Sequence, residues 1–115
     1  MQGALMMVEP RAYNPEYLYL TTQGWKSGKP HEIEIWFVAH GDCYYLISEG
    51  REESHWVKNI LYDAHVSFWV QGQSYNGRGR TIDSKTEPEL ATTIAELMQA
   101  KYKWSEGLIV ELCAA

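Results

Sequence analysis

The chain has few of the residues from which proteins usually assemble reaction centres. Only two cysteines occur among 115 residues, Cys43 and Cys113, and no CxxC pair exists. Each sits singly in an apolar, strand-like run and reads as a buried free thiol, which argues against a disulfide framework and for a reducing, cytoplasmic setting. The four histidines, His31, His40, His55 and His65, show no HxH or HxxxH spacing, so no metal site is expected. There is no GxSxG elbow and no Cys–His signature of a nucleophile. Cations are also scarce: ten Lys and Arg against fifteen Asp and Glu leave a net charge of −5. That balance argues against a dedicated nucleic-acid binder, whose footprint needs a basic excess on one face. No run approaches the ~20 apolar residues of a membrane-spanning helix. The opening MQGALMMVEPR has neither the basic leader nor the long apolar core of a signal peptide.

What the chain does have is aromatic and apolar bulk, 13% and 45% of residues. That suits one folded domain, here residues 17–115 behind an arm of 1–16 that holds Pro10 and Pro15. Alternation and β-branched or aromatic runs predict strands at Tyr17–Thr22, His31–Val38, Cys43–Ser48, His65–Gln71, Ser74–Asp83 and Leu108–Cys113. Ser54 can cap a short helix to Tyr62 with Trp56, Val57, Ile60 and Leu61 on one face. Thr86-Glu87-Pro88-Glu89 matches a capping box and opens a helix to about Lys103, with Leu90, Ile94, Leu97, Met98 and Lys101 inward. Six strands with two helices, and only one long crossover, predict a mostly β (α+β) antiparallel barrel. The lone Gly77-Arg78-Gly79 suggests a bulge or a flexible strand.

Two polar loops at strand ends carry what chemistry there is. Gly24-Trp25-Lys26-Ser27-Gly28-Lys29-Pro30 is one residue short of a P-loop, has proline where the hydroxyl belongs, and leads into a strand. It can still hold an anion through Lys26, Lys29, the Ser27 hydroxyl and exposed backbone N–H groups. The second loop, Ser48-Glu49-Gly50-Arg51, leads to Ser54 and Lys58 at the start of the short helix, whose N-terminus favours anions. Pairing of the second and third strands around Gly41 would bring this loop near the Lys26 turn. Trp36, Trp56 and Trp69 could wall a flat ring, although each is equally at home in a core. With no protein acid, base or nucleophile in view, any catalysis belongs to a cofactor. Tyr44, Tyr45 and Tyr75 are proton donors with nothing to single one out.

At this point the residues resemble a known group. Leu20-Thr21-Thr22, Gly24 and Lys26-Ser27-Gly28-Lys29-Pro30, then Ile35-Trp36-Phe37-Val38, then Trp56-Val57-Lys58-Asn59-Ile60, look like the deazaflavin (F420)-dependent nitroreductase family. That family lies within the FMN-binding split β-barrel, or pyridoxamine 5'-phosphate oxidase-like, superfamily. The resemblance runs from about Tyr17 to Val110. It implies a six-stranded split β-barrel with two helices, a homodimer, and F420, or alternatively FMN, in a groove at the subunit interface. By carry-over, Lys26, Ser27, Gly28 and Lys29 would approach the cofactor phosphate. Trp36, Phe37 and Val38 would line the ring-bearing strand, Ser48, Gly50 and Arg51 would continue the groove, and Trp56 and Lys58 would close it. The implied activity is hydride transfer between cofactor and a small quinone-like, nitro or unsaturated acceptor, with a non-catalytic carrier or sensor of the cofactor as the rival. The chain departs from the family at Trp25, where arginine is typical, and at Glu49, where many relatives carry lysine or glycine.

Overall fold

The computed structural model describes residues 15–115, so the expected arm of 1–16 lies almost wholly outside the described residues. Seven strands form one curled sheet: β1 (Tyr17–Gln23), β2 (Pro30–Trp36), β3 (Val38–His40), β4 (Cys43–Ser48), β5 (His65–Val70), β6 (Gln73–Ile82) and β7 (Leu108–Ala114). Two helices join them, α1 (His55–Tyr62) and α2 (Pro88–Tyr102), with a 3-10 turn at Arg51–Glu53. The strand order is β2-β1-β5-β6-β7-β4-β3 and every pairing is antiparallel. The class is the one expected, mostly β with two helices.

The additional strand comes from a break at Phe37. The single strand read over His31–Val38 is two, and they serve opposite ends of the sheet. β2 pairs with β1 through Tyr17↔Trp36 to Gln23↔Pro30, whereas β3 pairs with β4 through Val38↔Tyr45 to His40↔Cys43. Because one buried residue separates the sheet's first and last strands, the sheet must curl until its edges meet there. Helix α2 fixes this seam. The Tyr102 hydroxyl accepts from the Phe37 N–H at 3.1 Å, and the Lys101 ammonium donates to the Phe37 carbonyl at 2.9 Å. Lys101 also donates to the Pro15 carbonyl, tying the described start of the chain to the same point.

Two cores lie on the two faces. Leu18, Leu20, Leu46, Phe68, Val110 and Leu112 meet Val57 and Ile60 of α1 inside the curl. Val38, Tyr45, Ile47, Ile82 and Ile109 meet Ala91, Ile94 and Met98 of α2 outside it. β4 supplies both, which is why Tyr45 through Ser48 are all buried.

Several local expectations are corrected. Leu61 is 58% exposed and Leu97 37% exposed, so neither is core; Ala91 and Asn59 take inward positions instead. The capping box does not form: Glu87 is the N-cap with no side-chain bond, and Thr86 turns back to the Asp83 carbonyl. Gly77 and Gly79 lie inside a regular strand. A Cβ at Gly77 would fall 2.1 Å from the Cys113 carbonyl oxygen, so glycine is there for close strand approach. The cysteines are not free buried thiols: Cys43 and Cys113 face each other across β4 and β7, are half-buried, and form a disulfide. The argument for a reducing compartment loses that support. No described helix is long and apolar enough to cross a membrane.

Candidate cofactor site

The β1–β2 turn is rigid at its base and open at its tip. Gly24 N–H donates to the Lys29 carbonyl at 2.7 Å and Gly28 N–H to the Gly24 carbonyl at 2.8 Å, with Gly28 at φ 72°. The Lys29 N–H donates to the Ser27 hydroxyl. Helix α1 holds the turn from the side through a buried asparagine. Asn59 accepts from the Trp25 N–H at 2.8 Å and donates to the Thr22 hydroxyl at 2.9 Å, so one side chain fixes both the strand end and the turn. The N–H groups of Lys26 and Ser27 have no hydrogen-bond partner among the described residues. Lys26 makes no described ion pair, and its ammonium lies 4.9 Å from the Trp25 ring. Two N–H groups without a partner among the described residues, beside a cation in no described ion pair, suit an anion.

This turn forms one wall of a hollow of about 480 Å³, completed by His31, Ile33, His55, Trp56 and Asn59 among others. A second hollow of about 360 Å³ is lined by Tyr17, Trp36, Ser48, Gly50, Trp56 and Trp104 among others. Trp56 lines both hollows, and the second also takes Glu34 and Glu49 into its lining. The second has a stiff aromatic back. Trp36 stacks on Tyr102 with centroids 4.4 Å apart and planes 7° from parallel, and Trp104 meets Trp36 edge-on at 5.9 Å.

The second polar loop is organised differently. The Ser48 hydroxyl donates to the Arg51 carbonyl at 3.0 Å, which leaves Ser54 to donate to Ser48 at 2.7 Å. Ser54 occupies the N-cap position of α1, but its side chain does not cap the helix. Lys58 pairs with Glu53 at 3.6 Å and lies 5.7 Å from the Trp25 ring.

Of the sequence-derived site residues, Lys26, Ser27 and Trp56 line the first hollow, and Trp36, Ser48, Gly50 and Trp56 the second. Gly28 and Lys29 belong to the same turn but line neither hollow, and Lys58 approaches from α1. Arg51 is exposed on the 3-10 turn, and Phe37 and Val38 are buried in the cores. Strand pairing does not bring the two loops together, since β2 pairs with β1; α1 does so through Trp56 and Asn59. Asn59, His31, Tyr17 and Trp104 were not among the expected cofactor-site residues, because only the folded chain brings them here. None of Tyr44, Tyr45 and Tyr75 lines either hollow. The Tyr45 hydroxyl is pushed up to about 12 by burial and then by its bond to Glu111.

Solved structures resemble this fold at low identity. A candidate pyridoxamine 5'-phosphate oxidase from Listeria innocua shares 14% identity over 86% of this chain and 83% of its own, with a TM-score of 0.66. HutZ, the heme storage protein of Vibrio cholerae, aligns over 89% and 83% at 13% identity and a TM-score of 0.71. An F420-H2 dependent reductase, FDR-A, aligns over 86% and 94% at 19% identity and a TM-score of 0.62. No curated protein sequence matches the chain. The chain therefore shares the fold of these structures. Residues 6–106 match the model of the F420H(2)-dependent quinone reductase family, and the chain belongs to that family.

Proposed function

We infer that the protein is an F420-dependent oxidoreductase that reduces a small quinone-like, nitro or unsaturated acceptor. The observation that carries this reading is that Trp56 lines both hollows, which sets a turn suited to an anion next to a hollow lined by Trp36 and Trp104. A phosphate-bearing cofactor with a flat ring needs that combination. Lys26, Ser27 and the free N–H groups of the turn would hold the phosphate, with Gly28, Lys29 and Lys58 close by. Trp56, Trp36, Ser48 and Gly50 would flank the ring. When bound, reduced F420 supplies the hydride. The chain's own part is to orient ring and acceptor and to exclude water, for which Trp36, stacked on Tyr102 and met edge-on by Trp104, offers a braced surface.

FMN is the alternative cofactor, and a homodimer completes the reading. Support for the dimer comes from a domain-swapped dimer among the structural neighbours, at 20% identity, and from exposed Leu61 and Tyr62. A cytoplasmic location belongs to it as well: two free thiols in rapidly quenched cells would support that location, and none would overturn it.

The test is fluorescence titration of the purified protein with F420 and with FMN, followed by mixing of the loaded, reduced protein with a quinone. Binding of F420 is expected, and mixing with the quinone should restore the absorption and fluorescence of the oxidised cofactor. Binding without that recovery would assign a carrier instead, and binding of neither cofactor would overturn both readings.

A further inference from the structure

The function above uses neither cysteine, although the fold places both in a chemically distinctive position. Cys43 and Cys113 are directly opposed across β4 and β7, with Cα atoms 4.6 Å apart. That is the spacing of a non-hydrogen-bonded pair, whose side chains leave the sheet on one face. Glu111 lies two residues before Cys113 on β7 and so shares this face. The two sulfurs and a Glu111 carboxylate oxygen all lie within 4.8 Å of one another, and all three residues are half-buried. His40 is paired with Cys43 in the β3–β4 hairpin and stands on the same face one strand over. On the other side Arg78 is paired with Cys113, and Arg80 donates to Glu111 at 2.8 Å, so cations offset the negative charge that two thiolates would add.

We propose that, once reduced, Cys43, Cys113 and Glu111 form a binding site for a thiophilic divalent cation of zinc's class, with the disulfide as its oxidised, metal-free state. Two thiolates select a soft or borderline ion over magnesium or calcium, and a carboxylate completes a three-ligand set with one position open to water or His40. Zinc–sulfur bonds of about 2.3 Å require two sulfurs less than about 4 Å apart, which opposed cysteines reach by side-chain rotation. The two states exclude each other, because sulfur in the disulfide has no thiolate charge to donate. A cellular dithiol drives the exchange. One of its thiolates attacks a cysteine sulfur, the other cysteine leaves as thiolate, and the second thiol resolves the mixed disulfide. The reductant gives up two electrons and becomes a disulfide. Binding of the metal then displaces the two thiol protons.

The test uses the full chain reduced with a trialkylphosphine, which takes oxygen from one water and leaves both cysteines as thiols, and then freed of excess phosphine without air before metal is added. Cobalt(II) is the probe. Reduced protein is expected to take up one equivalent, with the thiolate charge-transfer absorption and intense d–d bands of a tetrahedral site, and to release it to zinc. The oxidised protein and reduced protein capped with iodoacetamide should take up none; the capped protein serves if Cys43→Ser or Cys113→Ser fails to fold. Glu111→Gln should weaken binding at least tenfold while keeping the charge-transfer band. Absence of stoichiometric uptake by reduced protein overturns the site, as does equal uptake by the capped protein. Unchanged affinity in Glu111→Gln overturns the three-ligand assignment.

Discussion

The two polar loops beside α1 have similar compositions and opposite organisation. Both hold glycine, serine and cations, and both end a strand. In the β1–β2 turn the bonds that shape the loop run through backbone, through Asn59 and through the Ser27 hydroxyl, leaving two N–H groups without a described partner and the Lys26 ammonium in no described ion pair. In the loop after β4 the hydroxyls of Ser48 and Ser54 are spent on each other and on the Arg51 carbonyl, and Lys58 is paired with Glu53. The lesson is that a loop's capacity for a ligand depends on which of its polar groups remain after the loop has been built. Residue types alone do not reveal that remainder.

The comparison can be broken most sharply with charge. Lys26→Ala should weaken F420 binding about 10- to 100-fold, the loss of one charge-assisted bond to a phosphate. Arg51→Ala should change it less than about twofold, since an exposed charge outside both hollows contributes little. Parallel fluorescence titrations decide, and equal losses would erase the distinction. Asn59→Ala comes next, because it removes the contact that shapes the open turn. Two partners lose their bond at once, so urea unfolding should show a loss of about 1–3 kcal/mol. Ser54→Ala should cost less, about 0.5–1.5 kcal/mol, because Ser48 keeps its bond to the Arg51 carbonyl.

The smallest effect concerns the aromatic back of the second hollow at high pH. Burial raises Tyr102 to about 12, against the opposing bond from the Phe37 backbone. The folded state therefore binds the phenolic proton more tightly than the unfolded chain does. That contribution is complete below pH 10, the ordinary tyrosine value, and is lost as pH rises through about 12. Thermal unfolding of wild type should fall across that window, and Tyr102→Phe should flatten the fall.

Much of the sheet was legible from alternation. Glu32 and Glu34 against Ile33 and Ile35 mark β2, and Leu18 and Leu20 mark β1, because a strand with one wet face writes a period of two. The seam at Phe37 was not legible. No glycine or proline marks it, and a chain that leaves one edge of a sheet for the other keeps extended geometry throughout. The disulfide was hidden for a related reason: its halves are 70 residues apart, and only the β4–β7 register opposes them. In the site, lysine, serine and glycine betrayed the turn. The hold of Asn59 on Trp25, 34 residues away, required the fold. The capping box shows local signal overruled, since Asp83 offers Thr86 a turn instead.

The seam at Phe37 also has a consequence in time. The β1–β2, β3–β4 and β5–β6 hairpins join neighbouring segments and can zip within microseconds of their turns forming. The β1–β5 and β4–β7 ladders join segments that are far apart in the chain, and each must wait for a costly loop closure. Phe37 lies between β2 and β3, whose hairpin partners β1 and β4 enter these two separate long-range ladders, so its environment is complete only when both have closed. Refolding should therefore be slow, and burial at Phe37 should mark its last step.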